Sequence, residues 1–266
     1  MTLSDTLQRC LLCGFCLVAV IFLILPLGVI IAASFTATDY LAFPPHGFTL
    51  KWYAQFLNDS SYLHSIGLSA ALALAATVSA LVLGLLVALV LARSSGAGNG
   101  AIAALFLSPL VLPTIVIGAA LLQFAAQAGF ARSWFALYAG HTVLVIPYVV
   151  RTALASLTGF NSSLEEAAQD LGASRWQTFW LVTLPIIKPG IIAGALFGLI
   201  ISWVNVELSI FNSTSALMPL PVKLFNYVQY SIDPMIAAVS ASTIYVAILV
   251  VIVIDWIVGI DRISPS

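Results

Sequence analysis

Charge is what this sequence has least of. Of its 266 residues only 7% are charged, and nine basic against ten acidic side chains leave a formal net charge of -1. Soluble domains carry about 25% charged residues. With 62% of the chain hydrophobic, the apolar surface exceeds what a soluble core of this length can hide, so the chain belongs in a membrane. A near-neutral balance gives no reason to expect nucleic acid as a partner. No composition break or low-complexity linker interrupts the sequence, so it reads as one transmembrane domain over 1–266.

Cysteine and histidine are also scarce, three of each. Cys10, Cys13 and Cys16 have CxxCxxC spacing, but the fourth ligand of an iron–sulfur cluster is missing. They read as small packing residues of an apolar helix, and no disulfide framework follows. His141 stands in an apolar run with no ligand set around it. It reads as a hydrogen-bonded packing residue, and no metal site is expected. The phosphate-loop pattern GxxxxGK[ST] is absent, so the sequence carries no such nucleotide-binding signature of its own. Neither HExxH nor a pair of intramembrane acids offers the means for an enzyme within the bilayer.

What the sequence has in abundance is long apolar runs. A helix needs about 20 apolar residues to cross the hydrocarbon. Six segments qualify, at about 10–33, 65–92, 101–124, 134–157, 190–211 and 235–258. They are continuously apolar rather than alternating, which favours helices over a barrel. The first is longer than the roughly 7–15 residues of a signal-peptide core and is expected to be retained. Pro109, Pro113 and Pro147 fall inside spans, where each frees a carbonyl and permits a kink. With the N-terminus inside, Arg9, Arg93, Arg151, Arg175, Lys188 and Arg262 lie on the inner side, and Lys51, Arg132 and Lys223 on the outer. This asymmetry selects N-in, C-in. The longest outer segment, 34–64, holds Thr49 as a helix cap, with Trp52, Tyr53 and Phe56 suited to an interfacial belt.

One cytoplasmic loop, about 158–189, departs from this apolar pattern. Asn161-Ser162-Ser163 can start a helix, with capping-box spacing at either Ser162–Glu165 or Ser163–Glu166. Glu165, Glu166 and Asp170 suit the positive end of its dipole. Gly172 can supply a left-handed end. Ser174 can cap a second short helix over 174–182, with Leu184-Pro185 and Pro189-Gly190 turning the chain into span five. The expected product is two short helices at a tight glycine corner, a rigid knob able to fill a groove on a partner.

The string Glu166-Ala167-Ala168-Gln169-Asp170-Leu171-Gly172, then Val182 and Leu184-Pro185, resembles the EAA motif of permease subunits of binding-protein-dependent ABC importers. That motif reads Glu-Ala-Ala, three residues, Gly, nine residues, an aliphatic residue, one residue, then Leu-Pro, and this chain keeps the register. The resemblance extends over about 65–259 and is strongest to the polyamine group of type I importers. It includes Leu107-Ser108-Pro109-Leu110-Val111-Leu112-Pro113, Ile146-Pro147-Tyr148-Val149-Val150-Arg151 and Leu220-Pro221-Val222-Lys223-Leu224-Phe225. It implies an all-α, six-helix permease of a bacterial inner membrane. It also implies a second permease subunit in a heterodimer, two ATPase subunits carrying ATP and Mg, and an external solute-binding protein. Glu166, Ala167, Ala168, Gly172, Arg175, Leu184 and Pro185 would then form the ATPase-coupling element, with Trp176 flanking it.

Span five carries the candidate substrate pathway: Ser202, Trp203, Asn205, Glu207 and Ser209, with Tyr148 and Gln123 from other spans. On one continuous helix Ser202, Asn205, Ser209 and Asn212 would share a face. Glu207 would lie about 200° away from Asn205. An ionisable residue in a span is a functional candidate. Glu207 reads as a pathway ligand, an interface ion-pair partner or a residue near the outer headgroups. Polyamine-type relatives often place an Asp-Glu pair where this chain has Val204-Asn205. That departure leaves zwitterionic or anionic solutes open beside amines. An ion-coupled secondary transporter would need midplane ion ligands, which are nearly absent.

Overall fold

A computed structural model of the chain describes residues 3–94 and 96–258, so Arg262 of the charge count lies outside the described residues. In chain order the helices are α1 (Leu3–Ala33), α2 (Lys51–Asn58), α3 (Ser60–Arg93), α4 (Asn99–Leu107), α5 (Thr114–Gln127), α6 (Trp134–Thr158), α7 (Ser163–Asp170), α8 (Arg175–Thr178), α9 (Leu184–Val204), α10 (Ser209–Asn212), α11 (Leu220–Val228) and α12 (Pro234–Val258). A 3₁₀ turn, Ser108–Leu110, follows α4, and a π turn, Phe179–Thr183, joins α8 to α9. Among the described residues five helices are long and apolar enough to cross a membrane, and the bent pair α4–α5 makes a sixth candidate.

The third span differs from expectation. Instead of one helix over 101–124, α4 and α5 meet at 105°. Pro109 and Pro113 lack the donors a continuous ladder would need there. Pro109 sits in a 3₁₀ turn, and Pro113 is extended (ψ 129°) at the N-cap position of α5. Two prolines four residues apart therefore break the span where one would have kinked it.

The chain forms two compact units. One comprises Met1–Leu63 and Asn226–Ser266. Within it α1 and α2 pack on α12. Trp52 and Phe56 do not form an interfacial belt: they are 5% and 2% exposed. The Trp52 indole donates to the Thr36 carbonyl at 2.9 Å, which satisfies the one polar group of a buried tryptophan. Burial pushes the Tyr53 phenol up to about 12, and its hydroxyl pairs with Ser34 Oγ at 2.6 Å. Cys13 and Cys16 are exposed on α1 rather than packed inside, on a helix whose apolar side chains are almost all exposed.

The second unit, His64–Phe225, holds the loop and span five. Its core is α6, with Val145, Val149, Val150 and Ala153 fully buried. Helix α9 lies along α6 through Gly190, Gly194 and Gly198, spaced one per turn. A Cβ at Gly194 would stand 2.7 Å from Thr152 Oγ1, and one at Gly198 2.7 Å from Val145 Cγ1. Small residues in this register let two backbones approach where lipid supplies no hydrophobic driving force between helices.

Candidate functional site

Helix α7 begins without either expected capping box. Asn161 Oδ1 accepts from the Ser163 N–H at 3.1 Å and from its hydroxyl at 2.8 Å. Glu165 is drawn elsewhere: its Oε1 accepts from Arg93 Nη2 at 2.5 Å and from the Thr183 hydroxyl. A guanidinium offers a carboxylate a stronger bond than an exposed backbone N–H does. Glu166 and Ala167 remain exposed, and Ala168 is half-buried.

The helix ends at the predicted glycine. Gly172 has φ +94°, a region costly for residues with a Cβ. The Gly172 N–H donates to the Gln169 carbonyl at 2.9 Å and the Ala173 N–H to Ala168 at 3.0 Å. These two bonds make a Schellman motif, which satisfies carbonyls the helix end leaves open. Nothing lies within 4 Å of where a Cβ at Gly172 would stand, so the backbone angle alone calls for glycine. Beside it Leu171 is 90% exposed at the tip of the corner.

After the corner, Ser174 and Gln177 form a reciprocal capping box: the Ser174 N–H donates to Gln177 Oε1 at 2.8 Å, and the Gln177 N–H to Ser174 Oγ at 3.3 Å. The second helix does not stop before span five. Arg175–Val204 is one candidate span, with the π turn inside it. Leu184 and Pro185 lie in the first turn of α9 rather than in a turn of the chain. The wider π turn accommodates a proline that has no N–H to give. Arg175 and Pro185 are exposed and Leu184 is half-buried. Trp176, Phe179 and Trp180 form an aromatic cluster, with the two indoles 5.5 Å apart.

Span five breaks in its outer part. Helix α9 ends at Val204 and Asn205 is extended, with ψ 116°. The single polar face expected for Ser202, Asn205, Ser209 and Asn212 therefore does not form as a continuous stripe. Asn205 Oδ1 instead accepts from the Leu208 N–H at 2.9 Å, starting the next turn as a side-chain cap does. His141 of α6 bridges the break, with Nδ1 2.7 Å from Ser202 Oγ and Nε2 2.9 Å from Ser209 Oγ. Ser209 gives its hydroxyl proton to the Asn205 carbonyl at 2.9 Å. Its oxygen must then accept, so Nε2 carries an imidazole hydrogen, while Nδ1 pairs with the Ser202 hydroxyl. Ser202 and Ser209 are both buried in this clamp.

The other pathway candidates scatter. Glu207 is exposed in the turn, and Trp203 is half-buried. Tyr148 is half-buried with its ring against Phe197, centroids 6.3 Å apart, and Gln123 is exposed on α5. Asn212 is buried and its Oδ1 accepts from the Arg132 N–H at 3.2 Å. Sequence reasoning missed the bridging role of His141 and the Arg93–Glu165–Thr183 contact. The partners lie 61 and 68 residues from His141 and 72 and 18 from Glu165, and no local pattern marks such pairs.

Residues 80–260 match the family described as "Binding-protein-dependent transport system inner membrane component". The chain belongs to this family of ABC importer permeases. The permease is thus a non-catalytic, multi-pass subunit of a bacterial inner-membrane importer, with no catalytic cofactor of its own. The putrescine transport system permease protein PotI of Escherichia coli strain K12 is 30% identical over 242 residues, 88% of this chain and 85% of PotI. The spermidine/putrescine permease protein PotC of the same strain is 28% identical over 249 residues, 94% of each chain. The molybdenum transport system permease protein ModB of Haemophilus influenzae is 37% identical over 149 residues, 51% of this permease and 65% of ModB. Among solved structures, a bacterial ABC transporter that imports the acidic polysaccharide alginate aligns with TM-score 0.72 at 16% identity, covering 96% of this chain and 98% of that one. The alginate transporter in complex with its alginate-bound periplasmic protein aligns at 0.68, also at 16% identity, over 95% and 93%. These two structures establish the fold.

Proposed function

We propose that this permease carries a small polar organic solute, a polyamine or a related amine, across the inner membrane, and that a separate ATPase drives it by gripping the Glu166–Pro185 element. The observation that carries the coupling half is the corner at Gly172. It is fixed by two backbone hydrogen bonds and holds Leu171 and Glu166 out to solvent. Such a knob can move a partner's force into the spans because it does not deform locally. The working assembly pairs this chain with a second, different permease subunit. Two ATPase subunits bind ATP and Mg, and an external binding protein delivers solute. Family membership sets aside the ion-coupled secondary transporter.

Support for an amine comes from relatives named for putrescine and spermidine that align over most of their length, and from the carboxylate of Glu207 exposed at the break in span five. A second reading, a zwitterionic or anionic solute such as an amino-acid derivative or phosphonate, is favoured by one observation. Val204-Asn205 supplies no acid, and the Asn205 amide oxygen is engaged with the Leu208 backbone.

Calorimetric titration of the importer's external binding protein separates the two. Heat of binding on addition of putrescine or spermidine, with none on addition of phosphonate, supports the amine. Binding of phosphonate or an amino-acid derivative alone replaces it with the second reading.

A further inference from the structure

Helix α7 buries none of its residues. With Ala168 only half-buried and no residue fully so, the helix gains little from apolar packing, and its seat leans on polar contacts and on its covalent ends. One contact dominates. Arg93, the last residue of α3, donates to Glu165 Oε1 at 2.5 Å. Thr183, where the π turn gives way to α9, donates its hydroxyl to the same oxygen. Thr183 is fully buried, and the side chains of Glu165 and Arg93 are 17% and 48% exposed. One carboxylate oxygen thus joins the inner end of span two, the corner helix and the start of span five.

The placement is favourable for each group. Arg93 sits at the negative end of α3 and Glu165 in the first turn of α7, at its positive end. The guanidinium–carboxylate bond is charge-assisted, and Thr183 holds it from the buried side. The π turn ends at Thr183, so the carboxylate grips α9 where its ladder is already irregular. Turns of this kind frequently mark functional sites in helices.

We infer that Glu165 is a positioning residue, through which movement of the Gly172 corner is passed to spans two and five. This rests on the coupling role proposed for the corner. Glu166 faces outward to the partner, and Glu165, one residue earlier, faces inward to the spans.

The test uses the complete importer, with its ATPase and binding protein, reconstituted in lipid vesicles. Two quantities are read: retention of the ATPase subunit on purification, and stimulation of ATP turnover by the binding protein. Glu165→Ala and Arg93→Glu should retain the ATPase and lose about tenfold in stimulation, within the usual range of coupling effects. Glu165→Gln keeps an acceptor for Thr183 but no charge for Arg93, so it should lose less. The exchanged pair, Arg93→Glu with Glu165→Arg, restores an ion pair but not the carboxylate for Thr183, and should recover part of the stimulation lost by Arg93→Glu alone, which a general structural defect would not do. Wild-type stimulation in Glu165→Ala, or in Glu165→Gln should the alanine variant fail to assemble, overturns the inference. Gly172→Asp measured alongside keeps the two ideas apart. If it leaves both quantities at wild-type values the coupling role itself fails, whereas uncoupling there with a silent Glu165→Ala removes only the role of Glu165.

Discussion

The corner at Gly172 and the break at Asn205 both interrupt a helix, but they are held in different ways. The corner is closed by backbone bonds between residues at most five apart, at 2.9 and 3.0 Å, and lies open to solvent. The break is held by His141 from another helix, by the buried hydroxyls of Ser202 and Ser209, and by Asn212 against the Arg132 backbone. A locally closed element keeps its shape while it moves as a body. An element closed by distant partners changes shape when those partners shift. That division suits the proposed role, in which force would enter at the corner and conformational change would be accommodated in the spans.

Substitutions can break or sharpen this contrast. The largest effect is expected at Gly172. Gly172→Asp places a Cβ at φ +94°, a strain of about 1–2 kcal/mol, and adds a charge to the exposed tip. Insertion and protein level should be normal while ATP-driven uptake falls by up to about a hundredfold, the upper range of coupling energies. Gly172→Asn, a residue that also occurs at this helix-ending position, adds no charge to the tip and should retain much more uptake. Normal uptake at normal level in Gly172→Asp would remove the corner from the mechanism.

At the break, His141→Ala leaves the Ser202 hydroxyl without its partner and deprives Ser209 of a donor. Stranded buried hydroxyls cost about 1–3 kcal/mol each, so a loss of about 2–4 kcal/mol is expected, read as a lower unfolding temperature of the purified permease and faster proteolysis near Asn205. His141→Gln can keep one of the two bonds and should lose about half as much. If His141→Ala is as stable as wild type, the clamp does not hold the break. A smaller effect, about 1–3 kcal/mol from overpacking, is expected for Gly194→Val, whose side chain would meet Thr152 and Val149; unfolding in detergent measures it. The smallest concerns Glu207. It is exposed, and an exposed charge contributes at most about 1 kcal/mol. Glu207→Gln should raise the KM for an amine by up to about fivefold with kcat little changed, and an unaltered KM would exclude a direct part in solute binding.

The same contrast explains what could be read from the sequence. Gly172 and Ser174 are legible because a left-handed glycine and a serine cap need only neighbours along the chain, whereas the reciprocal bond from Gln177 emerges only in the structure. Helices α1, α3, α6 and α12 were legible from apolar length, within a few residues at most ends. The prolines at 109 and 113 were visible, but their sum as a 105° break was not, since one proline in a span allows a simple kink. Asn205 gave no warning, because an Asn within an apolar run turns its amide to the backbone only when something else holds the chain open. Here that is His141, 64 positions earlier. Glu165 matched a capping-box register, yet its carboxylate went to Arg93 and Thr183, which only the folded chain brings near.

The central claim is that the Gly172 corner is where the ATPase engages, and proximity tests it most directly. A photoreactive residue at position 171, 90% exposed at the tip, should form an adduct with the ATPase subunit of the assembled importer on illumination. The same probe at Gly98, in the connection before α4, should give far less. An assembled importer in which position 171 yields no ATPase adduct, while position 98 does, would contradict the account.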